Sequence, residues 1–120
     1  MMERLIKSSL ILFVATALAG AVLAAGIRAG AVMHVKPNSI WFDTAADLTH
    51  WQELKKADAA ALAAFEKDKL GSRDAWQFIN PLMMKVVSYQ PRTNQVEVEM
   101  KTKGRFEGLK MFLDADALER

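Results

Sequence analysis

Apolar and polar positions divide the chain into one unbroken apolar run and a longer region of periodic patterns. From Leu10 to Ile27, eighteen consecutive residues carry no charge. After Thr44 the apolar residues recur every three or four positions, as in an amphipathic helix, and after Pro81 they alternate with polar residues, as in strands. The predicted parts are a membrane anchor or signal segment at 1–30, a linker at 31–43 and a small α+β domain at 44–120.

The apolar run predicts a helix that lipid surrounds. Its eighteen residues rise about 27 Å at about 1.5 Å per residue, which approaches the thickness of a bilayer's hydrocarbon core. A helix on the surface of a water-soluble domain has a polar side, and this run has none. We therefore expect an N-terminal transmembrane or signal helix.

The apolar helix has two alternative fates, a retained anchor or a cleaved signal peptide. Arg4 and Lys7 form a basic leader, and Ala17-Leu18-Ala19 and Val22-Leu23-Ala24 carry the small residues of a signal peptidase site. The apolar run is longer than the usual signal core of about 7 to 15 residues and continues past both sites. Its length favours a retained anchor.

The charges that flank the run predict its orientation. Arg4, Lys7 and the amino terminus outweigh Glu3 on one side, while Arg28 and Lys36 follow on the other. The basic leader favours an N-terminus inside the cell. We therefore expect a single-pass protein of the cytoplasmic (inner) membrane with an extracytoplasmic C-terminal domain. Cleavage would instead give a periplasmic or secreted protein.

Helical spacing predicts one long and one short helix. Thr44 to Asp47 has the form of a capping box, and Gly71 ends the apolar stripe that follows it. A second, short helix is expected from Arg73 to Ile79, because Ser72 can cap it and Asn80-Pro81 ends it. The stripe of the long helix consists of Leu48, Trp51, Leu54, Ala61, Leu62 and Phe65.

Alternation after Pro81 predicts three strands in an antiparallel meander, with the helices packed on its apolar side. A turn at Pro91–Asn94 would place Tyr89 opposite Val96 and Val87 opposite Val98. A two-residue turn at Lys103-Gly104 would place Leu109 opposite Val98, Met111 opposite Val96, and Glu97 opposite Lys110. Asp114 is expected to cap a last helical turn, and Trp41-Phe42 is expected to enter the core rather than to lie at a membrane interface.

Composition and charge exclude several functional classes. The chain of 120 residues has no cysteine, which excludes disulfides, thiolate zinc sites and a cysteine nucleophile. From His34 onward thirteen basic residues balance thirteen acidic ones. A nucleic-acid-binding domain needs a surplus of basic residues to neutralise phosphates. Nucleic acid is therefore not an expected partner.

Catalytic motifs are lacking in the sequence, which has no Gly-rich phosphate loop, nucleophile elbow or His-Glu-x-x-His pattern. Asp47, His50 and Glu53 share one side of the predicted helix, but a metal centre in a helical domain needs ligands from further helices. We interpret Asp47 as part of the cap and the other two as a solvated surface. No catalytic residue, cofactor site or metal site is predicted.

The outer side of the predicted sheet is a candidate protein contact. In the predicted register, four apolar residues lie there among charged ones, which is typical of interaction surfaces. These residues are Met84, Val86, Phe106 and Phe112.

Together, these features predict an interaction or accessory module anchored in a membrane, with lipid and a protein partner or a second copy as its contacts. The alternative is an exported soluble protein that binds a small ligand or inhibits an enzyme after signal cleavage. A third hypothesis, a metal-dependent enzyme, rests only on Asp47, His50 and Glu53, and we expect the protein not to be an enzyme.

Overall fold

The computed structural model describes residues 26–119, which contain six β-strands and two α-helices. Most of the predicted anchor or signal segment lies outside these residues. Neither helix in this range is long and apolar enough to span a bilayer. The elements in chain order are β1 (Val32–Val35), β2 (Ser39–Phe42), α1 (Ala45–Ala57), α2 (Ala59–Ser72), β3 (Ala75–Phe78), β4 (Leu82–Gln90), β5 (Gln95–Met100), β6 (Lys110–Asp114) and a 3₁₀ turn (Ala115–Ala117).

The strands form one antiparallel sheet in the order β1-β4-β5-β6-β2-β3. The predicted three-stranded sheet, with one long and one short helix packed on it, is therefore wrong. Its three strands are β4, β5 and β6, which form the centre of the sheet. Strand β1 extends this centre on one side, and β2 and β3 extend it on the other.

The segment 31–43, predicted to be a linker, contains β1 and β2 and belongs to the sheet. Pro37 and Asn38 interrupt regular structure as expected, but they only separate two short strands; Asn38 adopts the left-handed conformation with φ 69°. Trp41 and Phe42 are fully buried, which confirms the prediction that they enter the core.

Strand β3 occupies the segment predicted as a short helix. Within Ala75–Phe78, Trp76 lies opposite Trp41 and Ala75 lies opposite Phe42 in the neighbouring strand β2. Four residues are too few to show a helical or strand period clearly. Pairing with β2, which lies more than thirty residues earlier in the chain, therefore decides the conformation.

The predicted long helix is two helices that meet at Asp58. The Thr44 cap is confirmed, because Thr44 Oγ1 accepts the Asp47 N–H at 3.1 Å. Helix α1 ends at Ala57, and the extended Asp58 (φ −154°) then begins α2. The Asp58 carboxylate accepts the N–H groups of Ala60 and Ala61, each at 3.1 Å. A single residue thus ends one helix and caps the next.

We expect Asp58→Ala to lower the free energy of unfolding by about 1 kcal/mol, because two N–H groups at the start of α2 lose their acceptor. Urea unfolding followed by circular dichroism measures the change. Asp68→Ala, which removes an exposed carboxylate from the same helix, is the matched control and should change stability by less than about 0.5 kcal/mol. Equal losses in both variants would contradict the capping role.

The register of β4 against β5 agrees with the prediction at one end and departs from it at the other. Tyr89 lies opposite Val96 as predicted, but Val86, not Val87, lies opposite Val98. A bulge between Val86 and Ser88 shifts the pairing. Because a bulge adds one residue to one strand, every residue before it exchanges faces.

The connection between β5 and β6 spans residues 101–109 instead of the predicted two-residue turn. The pairing of β6 is therefore shifted by two positions, so that Met111 lies opposite Val98 and Leu113 opposite Val96. Glu97 consequently lies opposite Phe112 rather than Lys110. The cap at Asp114 is confirmed, since its side chain accepts the Asp116 N–H at the start of a 3₁₀ turn.

Both edge strands contribute to one core, so the sheet curls around it as an incomplete barrel. Val35 of β1 also bridges to Leu118 after the 3₁₀ turn, and the Glu119 N–H donates to the His34 carbonyl. A second, smaller core lies between the helices and the outer side of β2, β3 and β6. The fully buried residues of the main core include Val35, Trp41, Met84, Val86, Val96, Val98, Met111 and Leu113, and those of the smaller core include Phe42 and Leu48.

Candidate functional site

A groove of about 340 Å³ lies where helix α1 meets the β1–β2 connection and the end of β6. Its walls combine apolar surface with charges of both signs, a composition suited to binding rather than to core packing. Residues of both helices, three strands, the 3₁₀ turn and the β1–β2 connection line it, among them Asn38, Ile40, Trp51, Lys55, Glu66 and Asp114.

The helical wall of the groove is held by a tryptophan that both helices share. Trp51 Nε1 donates to Glu66 Oε2 at 2.7 Å, which ties α1 to α2. Lys55 Nζ lies 4.8 Å from the centre of the Trp51 ring, in cation–π range. The indole is therefore fixed in orientation, with a cation over its face and a carboxylate at its edge.

The opposite wall is the β1–β2 connection. The Asn38 N–H donates to the Phe78 carbonyl at 2.7 Å, and Gln77 Nε2 donates to the Asn38 carbonyl at 3.0 Å. The Lys36 N–H donates to the Ala117 carbonyl at 2.8 Å. Because these bonds fix the backbone at both ends of the connection, this wall is preformed.

Asp114 also lines the groove, and its carboxylate is the centre of a hydrogen-bond network. Asp114 Oδ1 accepts Asn94 Nδ2 and the Asp116 N–H, each at 2.8 Å. Asp114 Oδ2 lies 3.2 Å from Gln52 Nε2, which also reaches the carbonyls of Thr93 and Asn94. The network joins helix α1 to the turn between β4 and β5 and so fixes the position of α1, which forms one wall of the groove.

The chemistry of these side chains suits recognition of a polar chain of mixed charge. Lys36 and Lys55 supply positive charge, while Glu66, Asp114 and Asp116 supply negative charge. Nucleophilic catalysis requires a nucleophile and a base within hydrogen-bonding reach of each other. Neither histidine belongs to the groove lining, and its best-placed carboxylate, Asp114, is already engaged by three donors.

An acidic group beside the start of α1 has a perturbed titration. The pKa of Asp43 is raised above its ordinary value, first by partial burial of the carboxyl and then by repulsion from Asp74 and Asp47. Asp47 is itself paired with Lys69 at 3.4 Å, and Asp74 accepts the Ser72 hydroxyl at 2.8 Å. Of these three carboxyl groups, Asp43 is thus the one whose charged form the folded state disfavours.

We expect Asp43→Asn to stabilise the domain at neutral pH. A raised pKa means that the folded state binds the proton more tightly than the unfolded state, so the penalty appears as pH rises through the ordinary carboxyl pKa of about 4. The residue is largely exposed, and solvent screening limits the gain at pH 7 to about 0.3 kcal/mol. Melting temperatures measured from pH 3 to pH 8 should converge at the acidic end. A gain that persists at pH 3 would contradict this origin.

The structure does not bring the four predicted contact residues together on an exposed face. Met84 and Val86 are fully buried in the main core, because the bulge in β4 reverses the faces assumed for them. Phe106 is half-buried against Trp76, with ring centres 5.0 Å apart, and Phe112 is half-buried against the smaller core. The predicted protein contact thus loses the exposed surface on which it depended.

The three residues of the metal hypothesis have separate surroundings. Asp47 lies in the capped first turn and pairs with Lys69. The His50 ring packs edge-on against Phe65 at 4.8 Å between centres, and its Nδ1 lies 3.9 Å from Glu53. Among the described residues, no three His, Cys, Asp or Glu side chains form a group suited to a metal ion.

Sequence reasoning missed the groove because its residues come from distant segments. Trp51 was expected only as part of the apolar stripe and Asn94 only as part of a turn, and no role was predicted for Gln52. The one local signal was Asp114, whose capping role was predicted but whose contacts with α1 were not. No protein-family model matches this chain, and comparisons with curated proteins and with solved structures find no match.

Proposed function

We propose that this protein is a single-pass membrane protein whose extracytoplasmic domain acts as an interaction or accessory module. The observation that carries the proposal is the uncharged run of eighteen residues, whose last member, Ile27, belongs to the core of the domain and is only 3% exposed. A segment suited to lipid thus continues into a folded body without an intervening polar linker.

The first described residues are held firmly in the fold. The Gly30 N–H donates to the Val86 carbonyl, and the Val86 N–H donates to the Ala31 carbonyl, each at 2.8 Å. With Ile27 assigned to the core and Gly26 in the left-handed conformation (φ 70°), the stretch from Leu10 to Ala25 remains for the bilayer. As a helix it would be about 24 Å long, and the uncharged Ser8 and Ser9 would extend it at its start. The domain would therefore lie directly at the membrane surface.

The groove supplies the binding function in this proposal. Its preformed walls, its fixed indole and its charges of both signs support recognition of an extended segment of a partner protein that itself carries both charges. Membrane attachment would raise the effective concentration of the module near partners in the same membrane.

Two measurements on native membranes test membrane attachment. Carbonate extraction should leave the chain in the membrane fraction, and its intact mass should include Met1. Release by carbonate, together with loss of the first residues, would overturn the anchor.

We expect Lys55→Glu to reduce recovery of the partner by about tenfold in a detergent pull-down, because it reverses the charge of a groove side chain that lies over the Trp51 ring. Lys67→Glu makes the same change on the exposed side of α2 and should leave recovery unchanged. Equal recovery with the two variants, both still folded by circular dichroism, would count against the groove.

The alternative, an exported soluble protein that binds a small ligand or inhibits an enzyme, has one observation in its favour. Both small-residue motifs end at Ala19 or Ala24, ahead of Ile27, so cleavage at either would leave every described core residue in the mature chain. A mature N-terminus at Gly20 or Ala25 would favour this alternative over the anchor.

A further inference from the structure

The outer side of β1 and β4, with the end of β5, is an exposed sheet surface. The helices pack instead over β2, β3 and β6. Strand pairing places Val32 beside Lys85 and Lys85 beside Glu99, while His34 lies beside Met83. The Lys101 N–H donates to the Met83 carbonyl, which places Lys101 beside Met83 on the same surface. We call this surface the open face; it consists of Val32, His34, Met83, Lys85, Glu99 and Lys101.

The open face combines exposed apolar side chains with lysines. Val32 is 57% exposed and Met83 is 40% exposed, which is high for large apolar residues. Glu99 partly neutralises Lys101 at 3.9 Å. Among the described residues, Lys85 has no carboxylate within 4.0 Å. Apolar groups flanked by lysines, of which Lys85 is unpaired within residues 26–119, are typical of surfaces that meet the interface of a membrane.

The charges of the domain are separated although they sum to zero. Residues 43–74, which include both helices, carry seven acidic and five basic side chains. Residues 82–112, which include β4, β5 and the connection to β6, carry three acidic and six basic ones. The positive part of the domain is therefore the part that contains the open face, and its connection adds the exposed Lys103 and Arg105. An anionic surface would attract this side and repel the helical side.

In the anchored protein proposed above, the tether would place the open face beside the membrane. Strand β1 is an edge strand and begins at Val32, only five positions after Ile27. The six Cα–Cα steps from Gly26 to Val32 extend at most about 20 Å, and the turn and the Val86 hydrogen bonds shorten this path. The edge that carries Val32 thus lies near the point at which the chain enters the bilayer.

We propose that the open face docks on the anionic phospholipid headgroups of the membrane that holds the anchor. Lys85 and Lys101 would contact lipid phosphates, and Val32 and Met83 would lie at the level of the headgroups. This inference rests on the proposed anchor, and it fixes the orientation of the domain, with the helices and the groove turned away from the lipid.

The absence of cysteine allows a direct test on the full chain. His34→Cys places a fluorescent label on the open face, and Ala63→Cys places the same label on the exposed side of α2 as a reference. Each labelled protein is reconstituted into vesicles of phosphatidylcholine alone or with about one third phosphatidylglycerol, with a trace of lipid that carries a nitroxide on its headgroup. Quenching reports the distance from the label to the headgroups.

We expect stronger quenching at position 34 than at position 63, and an increase at position 34 when phosphatidylglycerol is present. Lys85→Gln with Lys101→Gln should lower the ratio of docked to undocked protein by roughly tenfold. The matched pair Lys56→Gln with Lys67→Gln removes two exposed lysines from the helical side and should leave the ratio unchanged. Raising the salt concentration to about 1 M should reverse the effect of phosphatidylglycerol without any substitution.

Equal quenching at the two positions, or quenching that ignores lipid charge and salt, would overturn docking. A blue-shifted label at position 34 that headgroup nitroxides do not reach would indicate a second copy on the open face, which also overturns docking. Carbonate extraction of the same vesicles reports the anchor separately. An inserted chain without quenching at position 34 rejects docking alone, whereas an extracted chain rejects the anchor and docking together.

Discussion

Trp41→Ala is expected to cost the protein a large part of its stability. Trp41 is fully buried in β2, its ring meets Phe78 edge-on at 5.0 Å, and its Nε1 donates to Ser39 Oγ at 3.1 Å. Truncation removes a large apolar surface and leaves a cavity, at a cost of about 4 kcal/mol. A domain of this size has a total stability of about 5 to 14 kcal/mol. The melting temperature should fall by about 15 °C or more.

Ile79→Ala is the control for Trp41→Ala. Ile79 lies just after β3, is also large and apolar, and is 73% exposed. Its truncation removes little buried surface and should change stability by less than about 0.5 kcal/mol. Calorimetry on both variants makes the comparison. Similar melting temperatures for the two would show that Trp41 does not fill the core of the curled sheet.

Asp114→Ala is expected to have the second-largest effect, a loss of about 2 kcal/mol in the free energy of unfolding. The substitution leaves Asn94 Nδ2 and the Asp116 N–H without an acceptor and removes the link to Gln52. A hydrogen bond to a charged acceptor contributes about 1.5 to 3 kcal/mol to stability. In a partly buried network, water compensates for the lost bonds only in part.

The same variant should also weaken the groove, because the network holds helix α1 against the turn between β4 and β5. Asp116→Ala is the matched control, since it removes a neighbouring carboxylate that also lines the groove. Denaturant unfolding, with partner recovery measured on the folded fraction, separates stability from binding. If both variants lose stability equally, general electrostatics rather than the Asp114 network is the cause.

Local signals in the sequence were sufficient where one residue acts on its immediate neighbours. Thr44 caps α1 and Asp114 caps the 3₁₀ turn through backbone groups two or three positions away. Such contacts depend on side-chain chemistry and spacing alone. The pairing of Tyr89 with Val96 was predictable for the same reason, because a short turn connects the two strands.

Contacts between distant segments were not predictable from the pattern. Trp41 and Trp76 are paired although two helices separate them in the chain. Strands of four residues carry too little period to be distinguished from a linker or a helical turn. The run from Met83 to Val87 contains two pairs of adjacent apolar residues, so that either face of β4 satisfied the alternation. The bulge settles which residues turn inward, and nothing in the local sequence marks it.

The groove could not be predicted from the sequence for a related reason. Its lining joins α1, α2, the β1–β2 connection, β2, β3 and the end of β6. Two of those strands were not predicted, so their side chains could not be placed beside Trp51. A site of this kind exists only once the sheet has closed, whereas a metal or phosphate motif is visible in the order of residues.

The position of Ile27 sets where the chain can be shortened. A version that starts at Ala31, the boundary suggested by the pattern of apolar residues, would lack a side chain that fills the barrel and would lose the turn formed by Arg28 and Ala31. A version that starts at Gly26 or earlier keeps both. Anyone preparing the domain without its lipid-directed segment should therefore cut ahead of Ile27, even though that leaves an apolar residue at the new N-terminus.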